Sequence, residues 1–212
     1  VLFLLFHMSM NLAAVFSTEA YNAICEFLGA NWYALAGTLI LAAGVVVHLV
    51  YATVLTLHNR SSRGSQRYAM TAEPEGVTWA SRNMYVLGII IVLGLLLHLY
   101  NFWYNMQFAE IIGNHELGPF PPADGAAYIA ALFSSPVYCI IYLVWFAAIW
   151  FHLTHGFWSA FHTIGWDNQT WLPRLKRIAN VVATIVFLCF ALVVIVFYLR
   201  SLGVCGGSCA GF

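Results

Sequence analysis

The sequence predicts an all-α integral membrane protein, a single domain of five transmembrane helices over residues 1–212. Of the 212 residues, 62% are hydrophobic and 8% are charged, whereas a soluble domain has about 25% charged residues. Apolar runs recur at the length of about 20 residues that a helix needs to cross a hydrocarbon core of about 30 Å. The predicted spans are residues 1–16, 33–58, 84–108, 137–162 and 178–199.

The first predicted span is shorter than the others and starts without an initiator methionine, so we expect further residues upstream. It lacks the basic flank and the small-residue cleavage site of a signal peptide, and it carries His7, Met8 and Met10. We therefore interpret it as a transmembrane helix.

The basic residues set the predicted topology of the five spans. Seven of the eight Lys and Arg residues fall between the second and third spans or between the fourth and fifth, and short cytoplasmic loops are enriched in these residues. The N-terminus is therefore predicted to be cytoplasmic and the C-terminus outside, in a multi-pass protein of a bacterial inner membrane. The seven residues are Arg60, Arg63, Arg67, Arg82, Arg174, Lys176 and Arg177.

Two of the five cysteines, Cys205 and Cys209, lie in the tail GVCGGSCAGF on the predicted outer side. An oxidising outer compartment favours a disulfide between them, and two free thiols fit the sequence equally well. No CxxC motif is present, so the sequence indicates neither a zinc ribbon nor covalently attached haem.

The first four predicted spans each carry a histidine at membrane depth, and the fifth carries none. An ionisable side chain inside a membrane is costly and usually faces the interior of the bundle. At about 1.5 Å per residue, His48 and His152 both lie about 22 Å below the outer surface, whereas His98 lies about 9 Å and His7 about 15 Å below it. The four residues therefore form an inner pair, His48 with His152, and an outer pair, His7 with His98.

Two histidine pairs at two depths match the requirement of two stacked b haems, each with its iron held by imidazoles from two facing helices. A flat macrocycle also needs room beside its ligand, and glycine lies one helical turn from three of the four histidines. These glycines are Gly44 before His48, Gly94 before His98 and Gly156 after His152.

A third histidine in the fourth span, His155, is an alternative to His152. His155 has Phe151 and Ser159 one turn away, where His152 has Gly156. His152 is therefore the predicted ligand, and His155 is left as an alternative ligand or as a hydrogen-bond partner of a haem propionate or a quinone.

The acidic haem propionates need cationic or hydroxyl partners. Each basic candidate also fits the ordinary role of a positive anchor at the cytoplasmic membrane surface. The remaining histidines, His58, His115 and His162, lie at helix ends or in a loop and are assigned no ligand role. Candidate propionate partners for the inner haem are Ser81, Arg82, Arg63, Arg67 and Lys176.

The first four spans contain HMSMN, VVHLVYATVLTLHNR, ASRNMYVLGIIIVLGLLLHLYNF and FHLTHGFWSAFHTIGW. Together they resemble the dihaem cytochrome b membrane anchor of succinate dehydrogenase and quinol:fumarate reductase, the enzymes of respiratory complex II, over nearly the whole chain. The resemblance implies that helices one and three share a distal haem through His7 and His98. It implies that helices two and four share a proximal haem through His48 and His152.

The resemblance also implies an electron path between an iron-sulfur subunit and a membrane quinone, commonly menaquinone, through two haem b groups. A flavoprotein subunit would interconvert succinate and fumarate, since this chain has neither a GxGxxG motif nor a ferredoxin-type cysteine run. We expect the iron-sulfur subunit to dock on the cytoplasmic side, and we expect no nucleic-acid partner. Some family members use an outer glutamate at the quinone site; Glu26 is the nearest counterpart, displaced by a couple of positions, and it also fits an ordinary loop carboxylate.

Other membrane proteins also use buried histidines. A cytochrome b of the quinol:cytochrome c reductase type carries two ligands on one face of the same helix. Here His48 and His58 are 10 residues apart, which rotates them by about 80° about the helix axis, so that type does not fit. Another b-type cytochrome of a quinone-linked dehydrogenase stays open. A metal-ion permease is less well matched, because the predicted spans contain no Asp or Glu to help bind the ion.

Overall fold

The computed structural model describes residues 1–29, 31–63, 78–166 and 168–204, and all regular structure in these ranges is helical. Helices suit so apolar a chain because each satisfies its own backbone hydrogen bonds without water. Arg67, Cys205 and Cys209 lie outside the described residues. The helices are α1 (Leu2–Phe16), α2 (Thr18–Gly29), α3 (Trp32–Arg63), α4 (Trp79–Arg82), α5 (Met84–His98), a π-helical segment (Leu99–Phe108), α6 (Ala109–Ile112), α7 (Gly125–Phe133), α8 (Pro136–Thr163) and α9 (Trp171–Ser201).

Four of the described helices are long and apolar enough to cross a membrane, which makes the chain a multi-pass membrane protein. They are α3, α8, α9 and the continuous helix Met84–Ile112, in which α5 passes through the π-helical segment into α6. The fifth apolar helix, α1, has 15 residues and is therefore about 22 Å long.

The long helices extend beyond the predicted apolar spans at several ends. α3 continues past His58 to Arg63, and α9 begins at Trp171 rather than at Ile178. Polar residues continue a helix readily once it leaves the hydrocarbon core. Pro173 is tolerated because it lies in the first turn of α9, where a backbone N–H would have no helical partner.

Neighbouring helices of the bundle are mostly antiparallel. The Trp145 indole N–H donates to the Ile91 carbonyl at 3.0 Å, and the Asn101 amide donates to the Tyr142 hydroxyl at 3.1 Å. The helix that contains Ile91 and Asn101 is therefore antiparallel to α8.

α3 is also antiparallel to the Met84–Ile112 helix. The Thr38 hydroxyl donates to Gln107 Oε1 at 3.0 Å near one end, and the Tyr85 hydroxyl lies 3.5 Å from Thr53 Oγ1 nearer the other. α3 and α8 therefore run in the same direction.

α1 and α9 run parallel, and α9 is antiparallel to α8. The Arg200 guanidinium donates to the Val15 carbonyl at 2.7 Å, which joins the C-terminal ends of α1 and α9. The opposite end of the bundle therefore holds the C-terminal ends of α3 and α8, the start of α9 and most of the basic residues.

The two predicted outer loops contain short helices, α2 and α7, which the pattern of apolar runs did not predict. The Asn22 amide donates to Asp124 Oδ1 at 2.7 Å, and the Ala126 N–H donates to Asn22 Oδ1 at 2.9 Å. Asp124 also caps α7 by accepting the Ala127 N–H at 3.2 Å. Asp124 lies two residues before the pair Ala126 and Ala127, and an aspartate in this position is a helix-start signal that was present in the sequence.

Gly125 lies where α7 meets α2, and we expect Gly125→Ala to destabilise this contact. An added Cβ would overlap the Cys25 sulfur and approach Tyr21 Cε1 to 2.9 Å. Overpacking of this kind costs about 1–3 kcal/mol, so the thermal unfolding midpoint in detergent should fall. In the control Gly88→Ala, nothing lies within 4 Å of the new Cβ, and the midpoint should hold or rise. Equal midpoints for the two variants would contradict the packing of α2 against α7.

The thiol of Cys25, in the same contact, should react slowly with alkylating agents. Burial raises the pKa of the Cys25 thiol to about 11, so at pH 8 about 100-fold less thiolate is present than for an ordinary thiol. Peptide-resolved alkylation should therefore accelerate about tenfold per pH unit up to pH 10.5. In the unfolded chain, the alkylation rate of Cys25 should level off at a pH about two units lower. Identical pH profiles in the folded and unfolded chains would show that Cys25 is not buried.

Candidate functional site

The structure brings His7 of α1 together with His98 of α5. Their ring centres are 5.7 Å apart and the rings are nearly perpendicular, at 86°. Both side chains are partly buried, and His98 is the last residue of α5 before the π-helical segment. The outer pair is thus formed by two helices that are about 90 residues apart in the sequence.

Aromatic side chains surround the outer pair. Phe3, one turn before His7, stacks on the His7 ring with centres 5.4 Å apart. The His98 ring lies 5.2 Å from Phe102 and 5.6 Å from Trp145. Such contacts exclude water and restrict both imidazoles to few rotamers.

The structure also brings His48 of α3 together with His152 of α8. The ring centres are 6.1 Å apart and the interplanar angle is 80°. His48 is exposed on α3, and none of the apolar stretch of that helix is buried. Beside this inner pair, a Cβ added at Gly44 would meet nothing within 4 Å, and one at Gly156 would meet only His152 Cδ2 at 3.9 Å.

The spacing of both pairs suits two imidazoles on opposite sides of one metal ion. Bonds from a first-row metal to imidazole nitrogen are about 2 Å long, which puts the two ring centres about 6 Å apart. In the described ranges, no group of three or more His, Cys, Asp or Glu residues is placed to hold a bare metal ion. The pairs supply two imidazoles each, which is the number that a bis-histidine haem takes from protein.

Buried ring nitrogens at the two pairs lack hydrogen-bond partners among the described residues. The Nδ1 atoms of His98 and His152 are both in this state. Buried polar atoms are nearly always hydrogen-bonded, so unpartnered imidazole nitrogens at two depths fit sites that bind a further group.

His155 is near the inner pair but is not part of it. Its ring packs edge-on against Trp158 at 4.9 Å, and the Lys176 ammonium lies 4.5 Å from the centre of the Trp158 ring. Its Nδ1 is also buried and has no hydrogen-bond partner within the described ranges. The imidazole that faces His48 is that of His152.

Of the other predicted propionate partners, Ser81 and Arg82 in α4 lie near the same end of the bundle as the inner pair. Trp79 of α4 packs on Phe151, next to His152, with ring centres 5.1 Å apart. The Ser81 hydroxyl in α4 donates to the Thr78 carbonyl at 2.8 Å, so it serves the local helix start. Arg82 is exposed.

The space beside Gly94 was predicted to leave room for a macrocycle at the outer pair, but the structure shows it occupied. The indole of Trp145 occupies the space in which a Cβ of Gly94 would lie. Sequence spacing gives the face of a helix but not the side chain that a neighbouring helix presents to it.

Two polar features of the site were not predicted. The Asn11 amide donates to the His7 carbonyl at 2.8 Å and accepts from the Tyr21 hydroxyl at 3.2 Å. This arrangement connects α2 to the residue that carries the outer imidazole. The sequence signal was Asn11 itself, an amide four residues after His7.

Glu26, the predicted quinone residue, is exposed on α2.

The second unpredicted feature is the π-helical segment that follows His98. The Asn105 amide donates to the carbonyls of Tyr100 and Asn101 at 3.0 and 3.1 Å. The Trp103 indole N–H and the Thr38 hydroxyl both donate to Gln107 Oε1. π-helical turns are rare and occur often at functional sites. Amide side chains inside an apolar span were the available sequence signal.

No protein-family model, curated protein or solved structure matches this chain.

Proposed function

We propose that this chain is the membrane-anchor and electron-transfer subunit of a succinate:quinone oxidoreductase, with two bis-histidine b haems. The observation that carries the proposal is the juxtaposition of His7 with His98 at 5.7 Å and of His48 with His152 at 6.1 Å. Each pair joins two different helices, and helical rise predicts that the pairs lie at different depths. When bound, each haem takes up and releases one electron.

The residues of the chain would hold and orient the two haems. His7 and His98 would hold the outer haem among aromatic side chains, and His48 and His152 would hold the inner haem beside Gly44 and Gly156. Ligating histidines usually donate their second ring N–H to a carbonyl or carboxylate. The basic side chains near α4 and at the start of α9, Lys176 among them, are suited to the acidic propionates of the inner haem.

The proposal includes α1 as a fifth span, with the N-terminus cytoplasmic and the C-terminus outside in a bacterial inner membrane. The apolar composition of α1, its parallel packing on α9 and the Arg200–Val15 hydrogen bond support it. The basic end of the bundle would face the cytoplasm, in keeping with the enrichment of Lys and Arg there.

An iron-sulfur subunit would dock at the basic end, close to the inner pair, and a flavoprotein subunit would bind beyond it. Electrons would then pass through the inner and outer haems to or from a membrane quinone, with menaquinone proposed and Glu26 as the candidate quinone residue. The same pairs would also serve another b-type cytochrome of a quinone-linked dehydrogenase. The subunits and quinone that co-purify with the chain distinguish the two.

We expect two b haems per chain, measured as haem-to-protein ratio and as a reduced-minus-oxidised absorption spectrum. His7→Ala or His98→Ala should remove one haem, and His48→Ala or His152→Ala should remove the other. A double variant that takes one ligand from each pair should contain none. Wild-type protein without haem bands would overturn the proposal, and it would return a metal-ion permease to consideration.

Matched controls are available within the chain. His58→Ala and His115→Ala alter exposed histidines outside the two pairs, so both should retain two haems with unchanged spectra. Loss of haem from either control would show that haem content reports general misfolding and not ligation.

His155→Ala separates the two candidate ligands in α8. Because His48 faces His152 and not His155, this variant should keep both haems, with at most a small shift in the spectrum of the inner haem. His152→Ala should lose the inner haem. The reverse pattern would assign His155 as the ligand.

A further inference from the structure

Trp145 lies where α8 crosses α5, beside the outer pair. Its side chain is 9% exposed, and its indole N–H donates to the Ile91 carbonyl at 3.0 Å. Its ring centre is 5.6 Å from that of His98. A buried tryptophan with a paired N–H has both a large contact area and a fixed orientation.

The Trp145 indole packs on one face of α5. Ile91, Gly94 and His98 are spaced by three and four residues, so they share one face of the helix. A Cβ at Gly94 would overlap three indole atoms, Cδ1, Nε1 and Cγ. The indole therefore fills the space beside Gly94 that any larger side chain would occupy, which we call the Gly94 notch. This contact fixes the position of α8 along the axis of α5.

Trp145 is also related to the inner pair through its own helix. It lies seven residues before His152, which is two turns or about 10 Å along the same face of α8. His152 in turn faces His48 at 6.1 Å. One side chain thus contacts the α5 ligand of the outer pair and is rigidly connected to the α8 ligand of the inner pair.

We infer that Trp145 is a positioning residue, which holds the His98 ring for the outer haem and, through the Gly94 notch, sets the offset between the outer and inner haems. The inference rests on the proposed function. It predicts that changes at Trp145 alter the outer haem selectively in a chain that still folds. A residue that only packs the core would alter the stability of the protein and leave both haem signals as they are.

Two substitutions at Trp145 and two at a matched tryptophan test the inference. Trp145→Phe keeps a ring and removes the N–H, whereas Trp145→Leu removes the ring. Trp150 is the control: it lies on the same helix, and its indole N–H donates to Thr184 Oγ1 of α9 at 3.0 Å. Haem content per chain and the low-temperature electron paramagnetic resonance signals of the two oxidised haems are measured on purified protein. The His48→Ala variant identifies which signal belongs to the inner haem.

We expect Trp145→Leu to lose one of two haems, with the inner signal retained, and Trp145→Phe to keep both haems with only the outer signal shifted. Gly94→Ala should resemble Trp145→Leu, because it closes the same notch. Trp150→Phe and Trp150→Leu should keep both haems and both signals.

Two haems with wild-type signals in both Trp145 variants would overturn the inference and leave the proposed function standing. If Trp145→Leu does not accumulate or loses both haems, Trp145→Phe decides: a shift confined to the outer signal supports the inference, and an unshifted outer signal overturns it. Absence of haem from the wild-type chain overturns the proposed function and this inference together.

Discussion

The structure depends on how four imidazoles are paired among apolar helices. A polar ring at membrane depth is costly unless a partner satisfies it, and here each ring faces another ring from a helix distant in the sequence. His7 meets His98, and His48 meets His152. The antiparallel order of α3, α5 and α8 brings these residues to matching depths, so the arrangement of the whole bundle is tied to the two pairs.

α8 connects the parts of this arrangement. It packs against α5 through Trp145, carries His152 toward α3 and binds α9 through Trp150. The two pairs nonetheless have different surroundings. Phe102, Trp145 and their neighbours enclose the outer pair, whereas the inner pair lies beside the open faces of Gly44 and Gly156. α8 thus contributes to one enclosed site and to one open site.

Hydropathy was sufficient to predict the four long apolar helices. The assignment of the histidines to two layers, which rests on counting residues along each helix, stays a prediction. Hydropathy and residue counting were insufficient wherever a side chain from another helix decides the outcome. Gly94 faces the indole of Trp145, which spacing within α5 does not reveal. The helices α2 and α7 are too short for a search based on span length, although Asp124 marks the start of α7. The five-span count, the cofactor and the partner subunits stay predictions.

The π-helical segment after His98 has a consequence for the direction in which later side chains point. In an uninterrupted α-helix each residue turns by about 100°, so the orientation of Gln107 would follow strictly from that of His98. The wider turn of Leu99–Phe108 changes this angle by a fixed amount. The imidazole faces His7 of α1 while the amide of Gln107 accepts a hydrogen bond from Thr38 of α3. A single continuous helix can in this way direct side chains at two different neighbouring helices.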